Sequence, residues 1–300
     1  MAAKLSRILI SGASGPVGAA LVPFLEERGC RITRLTRGPA GDGQISWDPS
    51  QPIAPEAVSG FDAVIHLAGE SIAERWTAAK KAKIVNSRKL GTGNLARAVA
   101  QAKEKPRVFV SASAVGYYGD RGDEVLREDS PSGKGFAAEI CREWEAATAP
   151  ATQAGIRTVQ MRIGMVLSPK GGGLAQMLPP FRMGVGGNIG NGRQWTSWID
   201  VHDLTGAIYH TMTTESLQGP VNAVAPNAVT NAEFTRTLAE ALSRPAFFHV
   251  PAFAVKLLFG QMGEEILLSS LRVEPAKLLA SGYAFRFPAL RSALMDVLGK

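Results

Sequence analysis

Along the first half of the chain, short apolar runs alternate with stretches in which apolar residues recur every three or four positions. Ile8-Leu9-Ile10 is the first such run, and it ends in the glycine turn Gly12-Ala13-Ser14-Gly15-Pro16-Val17-Gly18. Val17, Leu21 and Leu25 then recur at helical spacing, so a buried strand over residues 7–11 feeds a helix over 15–28, closed by Gly29. The same reading predicts strands over 31–36, 44–47 and 61–70. A helix follows over 83–102, then a strand over 107–111, a helix over 135–154 and a strand over 158–163. Strands alternating with helices over this length imply an α/β fold with a doubly wound parallel sheet.

After Ser168-Pro169 the pattern changes. Gly171-Gly172-Gly173, Pro179-Pro180 and the glycine-rich stretch 184–192 interrupt it, and either a loop over a cleft or a plain linker would read this way. Trp198-Ile199-Asp200-Val201-His202-Asp203-Leu204 leads into a further helix, and 221–225 reads as a strand. Thr230-Asn231-Ala232-Glu233 has the form of a capping box opening a helix. The expected organisation is a Rossmann domain over 1–167 with a return segment at about 198–230, and a smaller, discontinuous cap over 168–300.

Composition narrows the function. The 300 residues carry a net charge of +7, 45% apolar and 20% charged positions. The basic excess is scattered, with no run longer than Lys80-Lys81, so nucleic acid is not an expected partner. Cys30 and Cys141 lack metal-ligand spacing and suit a reduced, cytoplasmic setting. No leader or stretch near the ~20 apolar residues of a membrane span is expected.

The glycine turn is the first candidate for chemistry. Gly12 lets the backbone reverse, Gly15 lets it approach a phosphate, and Gly18 lets helix and strand pack closely. The helix N-terminus then offers N–H groups to a pyrophosphate. At the end of the second strand stand Thr36 and Arg37 with no acidic residue, which favours the 2′-phosphate of NADP over the free hydroxyl of NAD. A solvated loop charge is the alternative. His66 lies in an apolar strand and reads as a core histidine. Arg88 falls on the apolar stripe Ile84, Arg88, Gly91, Leu95, Ala98, Ala102, where it needs an anion, either a cofactor phosphate or an internal carboxylate. Lys83 could support the same anion. The strand from 107 ends in hydroxyl-bearing residues, Ser111-Ala112-Ser113, followed by Tyr117-Tyr118.

With Gly12/Gly15/Gly18, His66-Leu67-Ala68-Gly69, Ser111-Ala112-Ser113, Tyr118-Gly119 and 198–204, the chain resembles the extended short-chain dehydrogenase/reductase superfamily. Trp47-Asp48, Arg75-Trp76, Ser87-Arg88, Trp144-Glu145, 162–167, Pro180-Phe181, Gly186-Gly187, Ala225-Pro226, 231–234 and the tail over 260–288 are similar to its epimerase family protein branch. The resemblance covers nearly the whole chain. It implies an NADP(H) site in an NAD-dependent epimerase/dehydratase-type Rossmann domain. Gly12, Ser14, Gly15 and Val17 would hold the pyrophosphate, and Thr36 and Arg37 the 2′-phosphate. Leu67, Ala68 and Gly69 would flank the adenosine end, Lys83 and Arg88 would lie beside the cofactor, and Val166 would meet the nicotinamide. Ser113 matches the family serine, and Tyr117 or Tyr118 is the candidate proton donor.

One departure matters. The superfamily's chemistry uses Tyr-x-x-x-Lys on one helix, where the lysine eases ionisation of the phenol. No tyrosine here has a lysine four residues on; in the expected helix that spacing falls on Phe136 and Ile140, or Ala137 and Cys141. The leading expectation is an oxidoreductase for a small carbonyl or alcohol with substituted proton chemistry. A non-catalytic NADP(H) sensor and a sugar-nucleotide epimerase or dehydratase are the alternatives. Glu139 and Glu143 are conceivable acids that surface helix charge explains equally well. Arg182 and Arg193 would grip an anionic small-molecule substrate if they face the cleft. No metal or membrane is expected, and the chain is read as a monomer or homodimer.

Overall fold

The structure, a computed structural model, describes residues 5–300. The first half comprises β1 (Arg7–Ser11), α1 (Pro16–Glu26), β2 (Arg31–Thr36), β3 (Gln44–Ser46), β4 (Ala63–His66) and α2 (Ala78–Gln101). It continues through β5 (Val108–Ala114), β6 (Val125–Leu126), α3 (Phe136–Ala146), α4 (Ala149–Gln153) and β7 (Arg157–Ile163). The second half holds β8 (Met165–Leu167), α5 (Gly172–Arg182), β9 (Gly187–Ile189), β10 (Trp195–Thr196), β11 (Trp198–Asp200), α6 (Val201–Thr213) and β12 (Gly219–Ala223). Then come β13 (Val229–Thr230), α7 (Asn231–Leu242), β14 (Phe248–Val250), α8 (Ala252–Phe259), β15 (Arg272–Val273), α9 (Ala276–Ala280) and α10 (Leu290–Val297).

Seven strands form one sheet in the order β12-β7-β5-β4-β1-β2-β3, and every pairing in it is parallel. Apolar side chains cover both faces, as a fully parallel sheet requires. Ile8 and Ile10 pack with Leu21 and Leu25 of α1 and Leu204 and Ile208 of α6. Leu9, between them, points the other way and packs with Leu95 and Val99 of α2 and Ala151 of α4. The α/β fold with a doubly wound Rossmann-like sheet and a C-terminal domain is thus present. Strand order reverses between β1 and β4, which opens a crevice at the carboxyl ends of these strands, where such folds take ligands.

Three local expectations change. α2 begins at Ala78, because Thr77 caps it by accepting a hydrogen bond from the Lys80 N–H. The helix expected over 135–154 is two, α3 and α4, separated at Ala147-Thr148 just before Pro150, where a proline N–H is missing and the preceding turn must end. The glycine-rich stretch 184–192 contains β9, paired with β14. The Thr230 capping box forms as expected, with Thr230 Oγ1 accepting from the Glu233 N–H at 3.2 Å.

The C-terminal segment is bound tightly to the sheet domain. Both carboxylate oxygens of buried Asp203 accept backbone N–H groups, from Arg286 and Phe287, at 2.8 Å each. Tyr283 donates its hydroxyl to the Asp203 carbonyl. Buried Glu128 gathers the N–H groups of Asn222 and Lys277 at 3.1 Å on one oxygen. Among the described residues no helix is long and apolar enough to cross a membrane.

Candidate active site

The crevice begins at the glycine turn. Gly12 has φ +75°, and a Cβ there would lie 2.7 Å from the Ala68 nitrogen. A Cβ on Gly18 would lie 2.3 Å from the Gly12 carbonyl oxygen. The fold itself therefore demands glycine at both positions. Gly15 differs: its nearest neighbour for a Cβ is the Gly12 oxygen at 3.4 Å, so folding alone would tolerate a side chain. Gly15 caps α1 with no side-chain hydrogen bond, and Pro16 follows at the first helical position. The turn thus leaves the first N–H groups of α1, those of Val17 and Gly18, for an outside acceptor. Ser14 lies exposed at its rim and Val17 is half-buried.

Leu67, Ala68 and Gly69 follow β4 and cross beneath this turn. The Ala68 N–H reaches Ser11 Oγ at 3.4 Å. Ser11 Oγ also bonds Nδ1 of His66 at 2.6 Å, and Nε2 of His66 bonds Thr92 Oγ1 at 2.9 Å. Burial pulls the His66 pKa down to about 4, with the Arg88 charge adding to the shift, so His66 is a neutral core residue that ties β1 to β4 and α2.

Basic groups collect between the end of β2 and the start of α2. Lys80 donates to Glu70 Oε1 at 2.7 Å. That hydrogen bond, with the charges of Lys80, Lys83 and Arg37, holds the Glu70 carboxyl below its ordinary range. Arg37 and Lys83 are exposed, act on the same carboxylate, and have no ion pair of their own among the described residues. Thr36 Oγ1 accepts from the Gly38 N–H at 3.4 Å, bending the chain so that Arg37 stands at the strand's end.

Arg88 is buried as its stripe requires. Its Nη1 donates to the Glu70 carbonyl at 3.0 Å, and its guanidinium lies 4.7 Å from the Trp144 ring centre. Of the protein's own groups, a backbone carbonyl and an indole hold it, and no carboxylate pairs with it among the described residues. It braces the 67–70 loop from behind.

A second cluster occupies the carboxyl ends of β5 and β7. Ser113, paired in register with Arg162, donates its hydroxyl to Glu145 Oε1 at 2.7 Å. Arg162 grips the same carboxylate with two bonds, Nε to Oε1 at 2.8 Å and Nη2 to Oε2 at 2.9 Å. Against the cost of burial, those bonds and the Glu145 charge keep Arg162 protonated. Its Nη1 donates to the Tyr118 hydroxyl at 3.0 Å, and Tyr118 in turn donates to Asn222 Oδ1 at 2.7 Å. The guanidinium also stacks 3.5 Å over the Tyr117 ring.

The two tyrosines thereby separate. Tyr118 is fully buried, its hydroxyl is engaged as donor and acceptor, and burial pushes its pKa up to about 12. It cannot reach a substrate, and the choice of proton donor narrows to Tyr117. Tyr117 is half-buried, and its hydroxyl makes no hydrogen bond among the described residues.

Residues 8–225 match the NAD dependent epimerase/dehydratase family, and residues 250–297 match a domain of unknown function, DUF1731. The chain belongs to the NAD dependent epimerase/dehydratase family. Within that family it is 40% identical over 290 residues to an epimerase family protein of Mycobacterium bovis, covering 96% of each chain. The crystal structure of human epimerase family protein SDR39U1 (isoform 2) with NADPH matches at a TM-score of 0.90 and 36% identity, covering 98% of this chain and 99% of that one. A structure described as a nucleoside-diphosphate sugar epimerase from Corynebacterium glutamicum matches at 0.82 and 38%, over 99% of this chain and 59% of its own.

In α3 neither register of the Tyr-x-x-x-Lys spacing holds a tyrosine or a lysine. Ala137 and Cys141 are the residues that face the turn after β5, both buried against Gly116. Burial raises the Cys141 thiol to about 12, so it replaces no lysine. Glu139 is exposed, and Glu143 pairs with Lys89 at 3.4 Å. Arg182 and Arg193 are exposed and belong to different elements. Val166, half-buried in β8, pairs with Ile199 of β11. Glu145, Glu128 and Asn222 escaped the sequence reading. Arg162 was the available signal: a guanidinium inside an apolar strand needs a buried acceptor.

Proposed function

We propose that this chain binds NADP(H) and acts as an oxidoreductase on a small carbonyl or alcohol, with Tyr117 and Ser113 handling the proton in place of Tyr-x-x-x-Lys. The observation that carries the cofactor reading is the pair of cations without an ion pair of their own among the described residues, Arg37 just after β2 and Lys83 in the second turn of α2, which both act on Glu70. They suit a 2′-phosphate, and the uncapped start of α1 suits a pyrophosphate. The relative crystallised with NADPH supports the same choice.

When bound, the reduced nicotinamide supplies a hydride. The chain's own residues account for the proton. Tyr117 gives its phenolic proton to the substrate oxygen, and the Arg162 charge over the ring stabilises the phenolate left behind. In the reverse direction that phenolate takes the alcohol proton. Ser113, by turning its hydroxyl from Glu145 toward the crevice, donates to the reacting oxygen and fixes its position. Glu145 and Arg162 position these two groups and do not touch the substrate.

The test is a fluorescence titration with NADPH and with NADH, on the native chain and on Arg37→Ala. NADPH should bind at least tenfold tighter than NADH, and the variant should lose most of that preference. Equal binding of the two cofactors would overturn the 2′-phosphate assignment, and no binding of either would overturn the cofactor site itself. Addition of a carbonyl panel then reads NADPH consumption. A second reading, a non-catalytic NADP(H) sensor, draws on Ala137 and Cys141 in α3; it predicts tight NADPH binding with no consumption across the panel.

A further inference from the structure

Where the start of α6 meets α10, three ligand-type side chains converge. Asp200 ends β11 and caps α6, with Oδ1 accepting the His202 N–H at 2.7 Å. Its other oxygen, Oδ2, is buried and finds no hydrogen-bond partner among the described residues, in a residue only 1% exposed. A carboxylate oxygen without a donor in such a place is costly. His202 on the first turn of α6 and Asp296 on α10 stand beside this carboxylate: one ligand atom from each of the three residues lies within 4.8 Å of the others. His202 Nε2 and Asp296 Oδ2 stand 3.6 Å apart, close to the roughly 3.4 Å that separates two ligands of one tetrahedral ion. His202 and Asp296 also border a groove of about 780 Å³ that continues past Lys170 and Arg286, which gives an ion a route from solvent.

We propose that Asp200, His202 and Asp296 form a divalent transition-metal site of the zinc or manganese class, which pins the C-terminal helix α10 to the start of α6. Two carboxylate oxygens and one imidazole nitrogen suit those ions, and the remaining positions face the groove and take water. The carboxylates supply two negative charges, so the bound ion is neutralised and the orphaned oxygen satisfied. The site lies apart from Ser113 and Tyr117, and its role is to hold the cap on the sheet domain.

The experiment uses the full chain, stripped with EDTA and dialysed. Zn²⁺ and Mn²⁺ are titrated by calorimetry, with the unfolding temperature followed in parallel, and Co²⁺ supplies a visible absorption band that reports nitrogen and oxygen ligation. One ion per chain should bind, raise the unfolding temperature by several degrees, and be lost on EDTA addition. His202→Ala and Asp296→Asn replace solvent-accessible side chains and should keep the native circular dichroism while weakening binding at least tenfold. Asp200→Asn retains a capping side chain and should weaken it similarly. An unfolding temperature indifferent to EDTA and to added metal would overturn the proposal and leave a proton on Asp200 as the answer to its burial. Binding of equal strength in His202→Ala and Asp296→Asn would overturn it as well, by placing the ion elsewhere.

Discussion

Ser113, Glu145, Arg162, Tyr117 and Tyr118 act as one bonded unit, so substitutions within it should separate chemistry from stability. Tyr117→Phe removes the only phenol of the pair that is not already engaged. Turnover on any active carbonyl should fall about 100-fold or more, with NADPH affinity and unfolding midpoint unchanged, as steady-state kinetics and a denaturant curve would show. Tyr118→Phe leaves Asn222 Oδ1 and an Arg162 N–H short of a partner and should cost about 1–3 kcal/mol of stability. Retained turnover in Tyr117→Phe would sink the proton-donor assignment. Glu145→Gln strips the buried Arg162 of its counter-charge and should destabilise by roughly 3–5 kcal/mol, measured by urea unfolding. At this scale the sequence disclosed residue types and failed on their partners. Ser113 was legible from its place at a strand end, whereas Glu145 lies 32 positions away from it and was legible only as part of the Trp144-Glu145 resemblance, without a role.

The strand–turn–helix at the N-terminus was legible in full, because glycines 12, 15 and 18 sit within a few residues of the apolar run that they terminate. Their roles still divide by element geometry. Gly18→Ala would drive a Cβ to 2.3 Å from a backbone oxygen, and the turn must shift to accept it; a loss of several kcal/mol and of cofactor binding is expected. Gly15→Ala meets only ordinary contact inside the protein, so stability should change by less than about 1 kcal/mol while NADPH affinity drops at least tenfold. A Gly15→Ala variant that binds normally would place the pyrophosphate elsewhere. Helix ends were less legible than helix cores. The apolar stripe of α2 starts at Ile84, yet the helix begins at Ala78, because the capping hydroxyl of Thr77 extends it beyond the residues that bury it. In α3 and α4 the stripe seemed continuous, and Pro150 divided it.

At the scale of the whole molecule, the buried His66 adds an acid-sensitive contribution to stability. His66 titrates near 6.5 when unfolded and at about 4 when folded, so above pH 6.5 both states hold it neutral and it exerts no pH effect. As pH falls from about 6.5 to about 4 the unfolded chain gains a proton that the folded one refuses, and stability declines by up to about 3 kcal/mol. His66→Gln should flatten this part of the pH–stability curve; an unchanged slope would show that other groups set it. The C-terminal segment adds a second whole-molecule property. Asp203, on α6, secures Arg286 and Phe287 across some eighty residues, so Asp203→Asn should loosen the tail and raise its proteolytic sensitivity more than it disturbs the sheet.

What the sequence determined by itself is local. Periodicity placed the strands and helices of the Rossmann half, three glycines marked the turn that opens α1, and the missing acid beside Arg37 is what the proposed 2′-phosphate site rests on, because each signal lies within one element and its turn. What only the tertiary structure decided is which distant groups share a buried site. Arg88 found a carbonyl and an indole, Tyr118 found Asn222, and the buried carboxylate of Asp200 came to lie beside His202 and Asp296. Burial raises the cost of an unpaired polar atom, and chain folding alone sets which partner is near enough to remove that cost.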